Sequence, residues 1–188
     1  MKVARQAAGF ALAACALLMG GGCVTRGPLL DASTRIVELD ETPFFPQTAH
    51  QCGPAALATL LGASQVAVTP DTLESQVYIP ARRGSLQIEM LAAPRRHGRL
   101  SYRLAPNLDA IVAELDVGRP VLVLHNYGLP LWPRWHYAVV VGYIAQRDQL
   151  VLRSAKVRRQ VISTRDFMRA WANAGRWGMV LLRTGQPP

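Results

Sequence analysis

Gln47-Thr48-Ala49-His50-Gln51-Cys52-Gly53-Pro54-Ala55-Ala56-Leu57-Ala58-Thr59-Leu60-Leu61-Gly62 is the stretch on which the reading of this chain turns. A proline inside the first turn and a glycine just past the end punctuate a helix, so the spacing predicts one that opens at Cys52 and stops at Gly62. Its near-uniform apolarity predicts burial on most sides. A cysteine at the start of such a helix sits where unpaired backbone N–H groups and the helix dipole favour negative charge. That predicts a lowered thiol pKa and a larger fraction of the nucleophilic thiolate. Gly53 would then let a substrate carbonyl come close. Cysteine is also a small apolar side chain that suits a core helix, and position alone leaves both readings open.

Upstream, Thr42-Pro43-Phe44-Phe45-Pro46-Gln47 contains two prolines and is expected to run extended. Downstream, a short helix is expected near Pro70-Asp71, a third from about Ser85 to His97 stopped by Gly98, and a strand over Leu100 to Leu104. Asn107 caps a helix with Leu108, Ile111, Val112 and Leu115 on one face, ended by Gly118. Strands follow at Pro120 to Leu124, His136 to Ile144, Leu150 to Arg153 and Val157 to Ile162. Ser163-x-x-Asp166 resembles a capping box opening a helix through Trp171, and Trp177 to Leu182 is expected as a closing strand. Helices first and strands later, without regular alternation, indicates an α+β fold: N-terminal helices, with the nucleophile at a helix N-terminus, packed on a C-terminal antiparallel sheet.

The 188 residues, half of them hydrophobic, suit one domain with a sizeable core and exclude intrinsic disorder. The formal net charge of +9 comes from basic residues scattered as short pairs such as Arg82-Arg83, Arg95-Arg96 and Arg158-Arg159. No dense basic run exists and aromatics make up only 7%, so a nucleic-acid partner is not expected. No Cys or His pair has metal-ligand spacing and no glycine-rich phosphate loop is present, so no metal or cofactor is expected.

Lys2 and Arg5 precede an uncharged stretch from Gln6 to Gly22, the pattern of a secretory signal. Small residues directly before a cysteine resemble a bacterial lipoprotein signal, in which that cysteine is acylated. Leu12-Ala13-Ala14-Cys15 spells the better box but leaves a very short apolar region. Met19-Gly20-Gly21-Gly22-Cys23 spells a weaker one at a more ordinary depth, and Cys23 is preferred. The expected organisation is a signal peptide over 1–22, a tether over 23–41 and the domain over 42–188. Acyl chains and a basic surface would hold a monomer at the periplasmic face of the cell envelope as an outer-membrane lipoprotein. With Cys23 lipidated, Cys52 is the only free thiol of the mature chain, and an unpaired thiol kept in an oxidising compartment points to chemistry.

A nucleophilic cysteine needs a base, and there are four histidines. His50 is too local to Cys52, and His97 sits among arginines at a helix end. His125 ends one strand and His136 begins the next. Geometry prefers His136, whose apolar strand would hold the imidazole rigidly, but leaves His125 open.

Gln47-x4-Cys52-Gly53-Pro54-Ala55 followed by His136-Tyr137-Ala138-Val139-Val140-Val141-Gly142-Tyr143 resembles the papain-like cysteine peptidases of the bacteriocin-processing (double-glycine leader peptidase) family, specifically their stand-alone exported lipoprotein relatives. The resemblance spans roughly Pro43 to Leu182. It implies Cys52 as nucleophile, His136 as general base and Gln47 as oxyanion donor, with Gln51 the weaker candidate for that last role. The family's third member is an Asp or Asn on the strand after the histidine. Here Asp148 falls in the hairpin turn, on the order of 30 Å from His136 at ~3.3 Å per strand residue. Asp166 is committed to a helix start. The acidic position is filled by Arg153-Ser154, whose serine hydroxyl can accept the imidazole N–H. The resemblance implies an exported peptidase that cleaves a peptide or protein substrate through a thioester. The alternatives are an inactive peptidase fold binding a peptide or envelope partner, and an amidase of cell-wall peptides. Tyr127, Trp132 and Trp135, between the two strand histidines, are either a loop over the cleft or ordinary packing.

Overall fold

Strand and helix periodicity divide this chain into two apolar faces that meet on one antiparallel sheet. The computed structural model describes residues 35–47 and 51–183. Cys15, Cys23, His50, the expected signal peptide and the first part of the tether lie outside the described residues.

Strands β1 (Ile36–Glu38), β2 (Arg99–Arg103), β3 (Val121–Asn126), β4 (Trp135–Ile144), β5 (Gln149–Ser154), β6 (Val157–Ser163) and β7 (Gly178–Arg183) form the sheet. Their order is β2-β7-β3-β4-β5-β6, every pairing antiparallel. β1 pairs with the C-terminal half of β4, Ile36 opposite Ile144 and Glu38 opposite Gly142. Residues 36–38 of the tether expected over 23–41 thus belong to the sheet.

The pleat sends alternate side chains of β3 and β4 to opposite faces. Leu122, Leu124, Tyr137 and Val139 pack with Leu57, Leu60 and Leu61 of helix α1 (Cys52–Ala63). α2 (Pro70–Val77) and α3 (Gln87–Ala92) add Leu73, Val77 and Met90 to that layer. Val121, Val123, Ala138 and Val140 face the other way, against Ile111 and Leu115 of α4 (Leu108–Asp116) and Phe167 and Trp171 of α5 (Thr164–Ala172). Each fully buried leucine or phenylalanine contributes about 1.5–3 kcal/mol. The helices thus cover both faces of the sheet.

Local chemistry sets the helix starts. Asn107 Oδ1 accepts the Ala110 N–H at 2.8 Å, and Ser163 Oγ accepts the Asp166 N–H at 3.1 Å. The single helix expected from Ser85 to His97 is shorter and broken: α3 gives way to a 3₁₀ turn over Ala93–His97, because Pro94 has no N–H to donate. α1 likewise runs past Gly62, which does not stop the helix but makes room for the ring of Pro43.

Arg153 is buried in β5 and ties the N-terminal arm to the sheet. Its guanidinium donates to the carbonyls of Thr42 (3.3 Å), Asp40 (3.1 Å) and Arg158 (2.8 Å). The extended segment through Gln47 is thereby laid along the turn between β5 and β6.

Candidate active site

Cys52 is the first residue of α1, and Gln51 in the N-cap position places no side-chain cap on the helix's free N–H groups. The thiol is nevertheless not acidified. Burial pushes its pKa above the ordinary value, and hydrogen bonds from the backbone of Tyr137, Gly53 and Cys52 itself offset this only in part. The lowered pKa expected from the helix terminus is therefore corrected: desolvation outweighs the local dipole. Gly53 is also reassigned. A Cβ at that position would meet Ser85 Oγ at 2.1 Å, so the glycine admits the Ser85 side chain and not a substrate carbonyl.

His136 is the second residue of β4, and its Nε2 lies 2.9 Å from Ser154 Oγ. In the tautomer that donates Nε2–H to the serine, Nδ1 presents its lone pair. The ring of Tyr127 lies 6.1 Å away, centroid to centroid. Burial depresses the imidazole pKa, so the resting side chain is neutral at pH 7. At rest Cys52 is accordingly a thiol and His136 a neutral imidazole, and the two side chains open on different recesses.

His125, paired with His136 across β3 and β4, has a different setting. It is fully buried, its Nδ1 bonds the Tyr127 hydroxyl at 2.8 Å, and its ring packs edge-on against Phe167 at 4.9 Å. Burial, followed by the neighbouring charge of His136, pushes it down to about 3. These contacts make it a packing histidine beneath Tyr127. His97 stands in a separate recess with Phe45 and Val68.

Gln47 joins the two halves of the site. Its backbone N–H donates to Ala155 O at 2.9 Å, next to Ser154, while its side-chain Nε2 donates to Tyr137 O at 3.4 Å. Tyr137 is the residue whose backbone also reaches the Cys52 thiol. Gln51 is directed elsewhere, with Nε2 on Glu74 Oε2 at 3.1 Å. A cleft of about 540 Å³ opens on Cys52, with Arg82, Arg83, Ser85, Trp135 and Tyr137 among its walls. A smaller recess of about 280 Å³ opens on His136, Ser154, Ala155 and Tyr127. Trp135 walls both.

The sequence did not single out Ser85 or Tyr137. Tyr137 donates its hydroxyl to Ser85 O at 3.2 Å, closing the floor of the cleft behind Gly53. Trp132 and Trp135 are both exposed, and Trp135 lines the site. Among the described residues no group of three His, Cys, Asp or Glu side chains is placed to hold a metal ion.

Residues 39–179 match the Peptidase_C39 like family. The chain belongs to that family. No curated protein matches the sequence. Among solved structures, this C39-like chain superposes on one described as a C39-like peptidase from Bacillus anthracis with a TM-score of 0.65 at 14% identity, covering 81% of this chain and 100% of the other. A double glycine motif protease from an AMS/PCAT transporter, solved with its leader peptide, gives 0.58 at 18% identity, covering 80% and 94%. The peptidase domain of Streptococcus ComA, a bifunctional ABC transporter of a quorum-sensing pathway, gives 0.60 at 19% identity, covering 76% and 99%. The mixed helix and antiparallel-sheet architecture is thus the papain-like fold of the C39 peptidases.

Proposed function

We propose that this protein is a cysteine peptidase in which Cys52 is the nucleophile, His136 the general base, Gln47 an oxyanion donor and Ser154 the residue that positions the imidazole. The observation that carries the proposal is the bridge made by Gln47, bonded to the Ser154–Ala155 turn at one end and to Tyr137, beside the thiol, at the other.

Because thiol and imidazole are both neutral at rest, proton transfer accompanies attack. His136 takes the Cys52 proton as Sγ bonds to the substrate carbonyl carbon. The oxyanion is met by the Cys52 N–H and by Gln47 Nε2–H, whose long bond to Tyr137 O is readily exchanged. Collapse breaks the C–N bond, the imidazolium protonates the leaving amine, and a thioester remains. Water, deprotonated by His136, attacks the thioester, the C–S bond breaks, and the proton returns to sulfur.

Family membership supports a peptide as the substrate, since the double glycine motif protease was solved with its leader peptide. The N-terminal sequence supports export and attachment through acylated Cys23. Loss of incorporated fatty acid in Cys23→Ala, with retention in Cys15→Ala, would support that attachment.

The test is capture by a panel of peptide chloromethylketones, read by mass. The expected result is one adduct at Cys52, absent in Cys52→Ala and strongly slowed in His136→Ala. No adduct across the panel, or labelling indifferent to His136, would leave a peptide-binding module instead.

A further inference from the structure

The Cys52 cleft has a basic rim that the chemistry above does not use. Pro80–Arg82 forms a 3₁₀ turn, and Arg83 follows in the left-handed region at φ 48°, ψ 44°. The turn is cross-pinned: Ile79 N–H donates to Gly84 O at 2.9 Å, Arg82 N–H to Ile79 O at 3.0 Å and Arg83 N–H to Pro80 O at 3.1 Å. Glycine or asparagine adopts this backbone far more readily than arginine, so the loop holds a guanidinium where a strain-free residue was available.

Arg82 and Arg83 are both exposed, and both line the cleft with Cys52, Ser85 and Trp135. No Asp or Glu lines that cleft. Some other arginines are neutralised or bound: Arg119 by Glu114, Arg159 by Glu38, Arg169 by Asp166, and Arg153 by three carbonyls. Among the described residues neither Arg82 nor Arg83 has an ion pair. Two cationic side chains on one cleft, whose wall also includes Leu86, Leu124, Trp135 and Tyr137, concentrate a positive potential there. A carboxylate bound there meets that potential and can take planar, charge-assisted hydrogen bonds from a guanidinium.

We infer that the Arg82–Arg83 turn is a carboxylate subsite of the Cys52 cleft, so that the preferred substrates are acidic peptides. This rests on the peptidase reading and specifies its substrate class. The carboxylate is supplied either by an Asp or Glu side chain near the scissile bond or by the peptide's own C-terminus.

Matched fluorogenic peptides with Glu or Gln at each position flanking the cleaved bond, each with a free or amidated C-terminus, distinguish the two sources. Charge-assisted hydrogen bonds of this kind predict a kcat/KM advantage of roughly ten- to a hundredfold for the carboxylate-bearing member. The advantage should shrink as salt rises. In Arg82→Gln/Arg83→Gln the ratio should fall to near one. In Arg83→Asn it should fall while the thermal midpoint holds or rises, since the backbone strain is relieved. Equal cleavage of Glu and Gln peptides by the unaltered protein, or a preference that survives the double substitution, overturns the inference. If no peptide is cleaved, the peptidase reading fails separately, and anisotropy of the labelled Glu and Gln peptides on the same proteins decides the subsite: tighter binding of the Glu peptide, lost in the double variant, upholds it, and equal binding overturns it.

Discussion

Ser154 Oγ stands 2.9 Å from His136 Nε2, a neutral hydroxyl in the place where related enzymes are expected to carry a carboxylate or amide. Such a bond orients the ring without adding charge, so His136 keeps the depressed basicity that burial gives it. Removing the hydroxyl in Ser154→Ala should lower kcat about fivefold, the equivalent of one neutral hydrogen bond of ~1 kcal/mol. Ser154→Asp should act differently. A carboxylate there favours the imidazolium, so the acid limb of the pH–rate profile should move upward from its position below 6.5. An unmoved limb would mean that His136 does not set it.

Gln47 offers a second test, because its two bonds have different origins. The backbone bond to Ala155 survives any side-chain change, while the bond to Tyr137 O does not. Gln47→Ala should therefore fold with a nearly unchanged thermal midpoint. Its kcat should drop about a hundredfold or more, as for other oxyanion donors, with KM little altered. A drop in stability that matches the drop in rate would instead mark Gln47 as structural.

Gly53 and Ser85 should behave as a coupled pair. The Cβ of Gly53→Ala would approach Ser85 Oγ to 2.1 Å and Ser85 Cβ to 2.6 Å. Overpacking of this kind costs about 1–3 kcal/mol. Ser85→Gly should recover part of that loss in the double variant, measured by urea denaturation as a coupling energy.

His125 predicts how the fold responds to acid. Its folded pKa, about 3, is below the unfolded value of 6.5, so the fold binds fewer protons than the unfolded chain between them. The stability contributed by the neutral ring is complete above pH 6.5 and erodes as pH falls, by up to about 1.4 kcal/mol per unit. His136 is depressed in the same direction and adds to the slope. His125→Phe, which keeps an aromatic ring against Phe167, should flatten the dependence of the urea midpoint between pH 6.5 and 5 without abolishing it.

What could be read from the chain was what neighbouring residues determine. Asn107 and Ser163 announced their helices through their own side chains, and the apolar run of β3 announced a buried strand. What escaped reading depends on partners distant in sequence. Ile36–Glu38 has no alternation of its own and becomes a strand only by pairing with residues 142–144. The sign of the Cys52 pKa shift was misjudged because helix position is local, whereas the burial that prevails comes from tertiary packing. His125 and His136 look alike at the ends of two strands; only the arrival of Phe167 at one, and of Ser154 at the other, tells them apart.

The placement of β7 between β2 and β3 has a consequence for biosynthesis. The strands flanking it emerge first, and both lack this shared neighbour until Gly178–Arg183 is made. A nascent chain therefore carries Cys52 long before the sheet beneath it is complete, and a truncation before Gly178 leaves two bare strand edges, the ready templates for aggregation. Ripening of the fold is thus deferred to the last strand of its sheet to be made, and a ribosome stalled short of that point holds a chain prone to self-association.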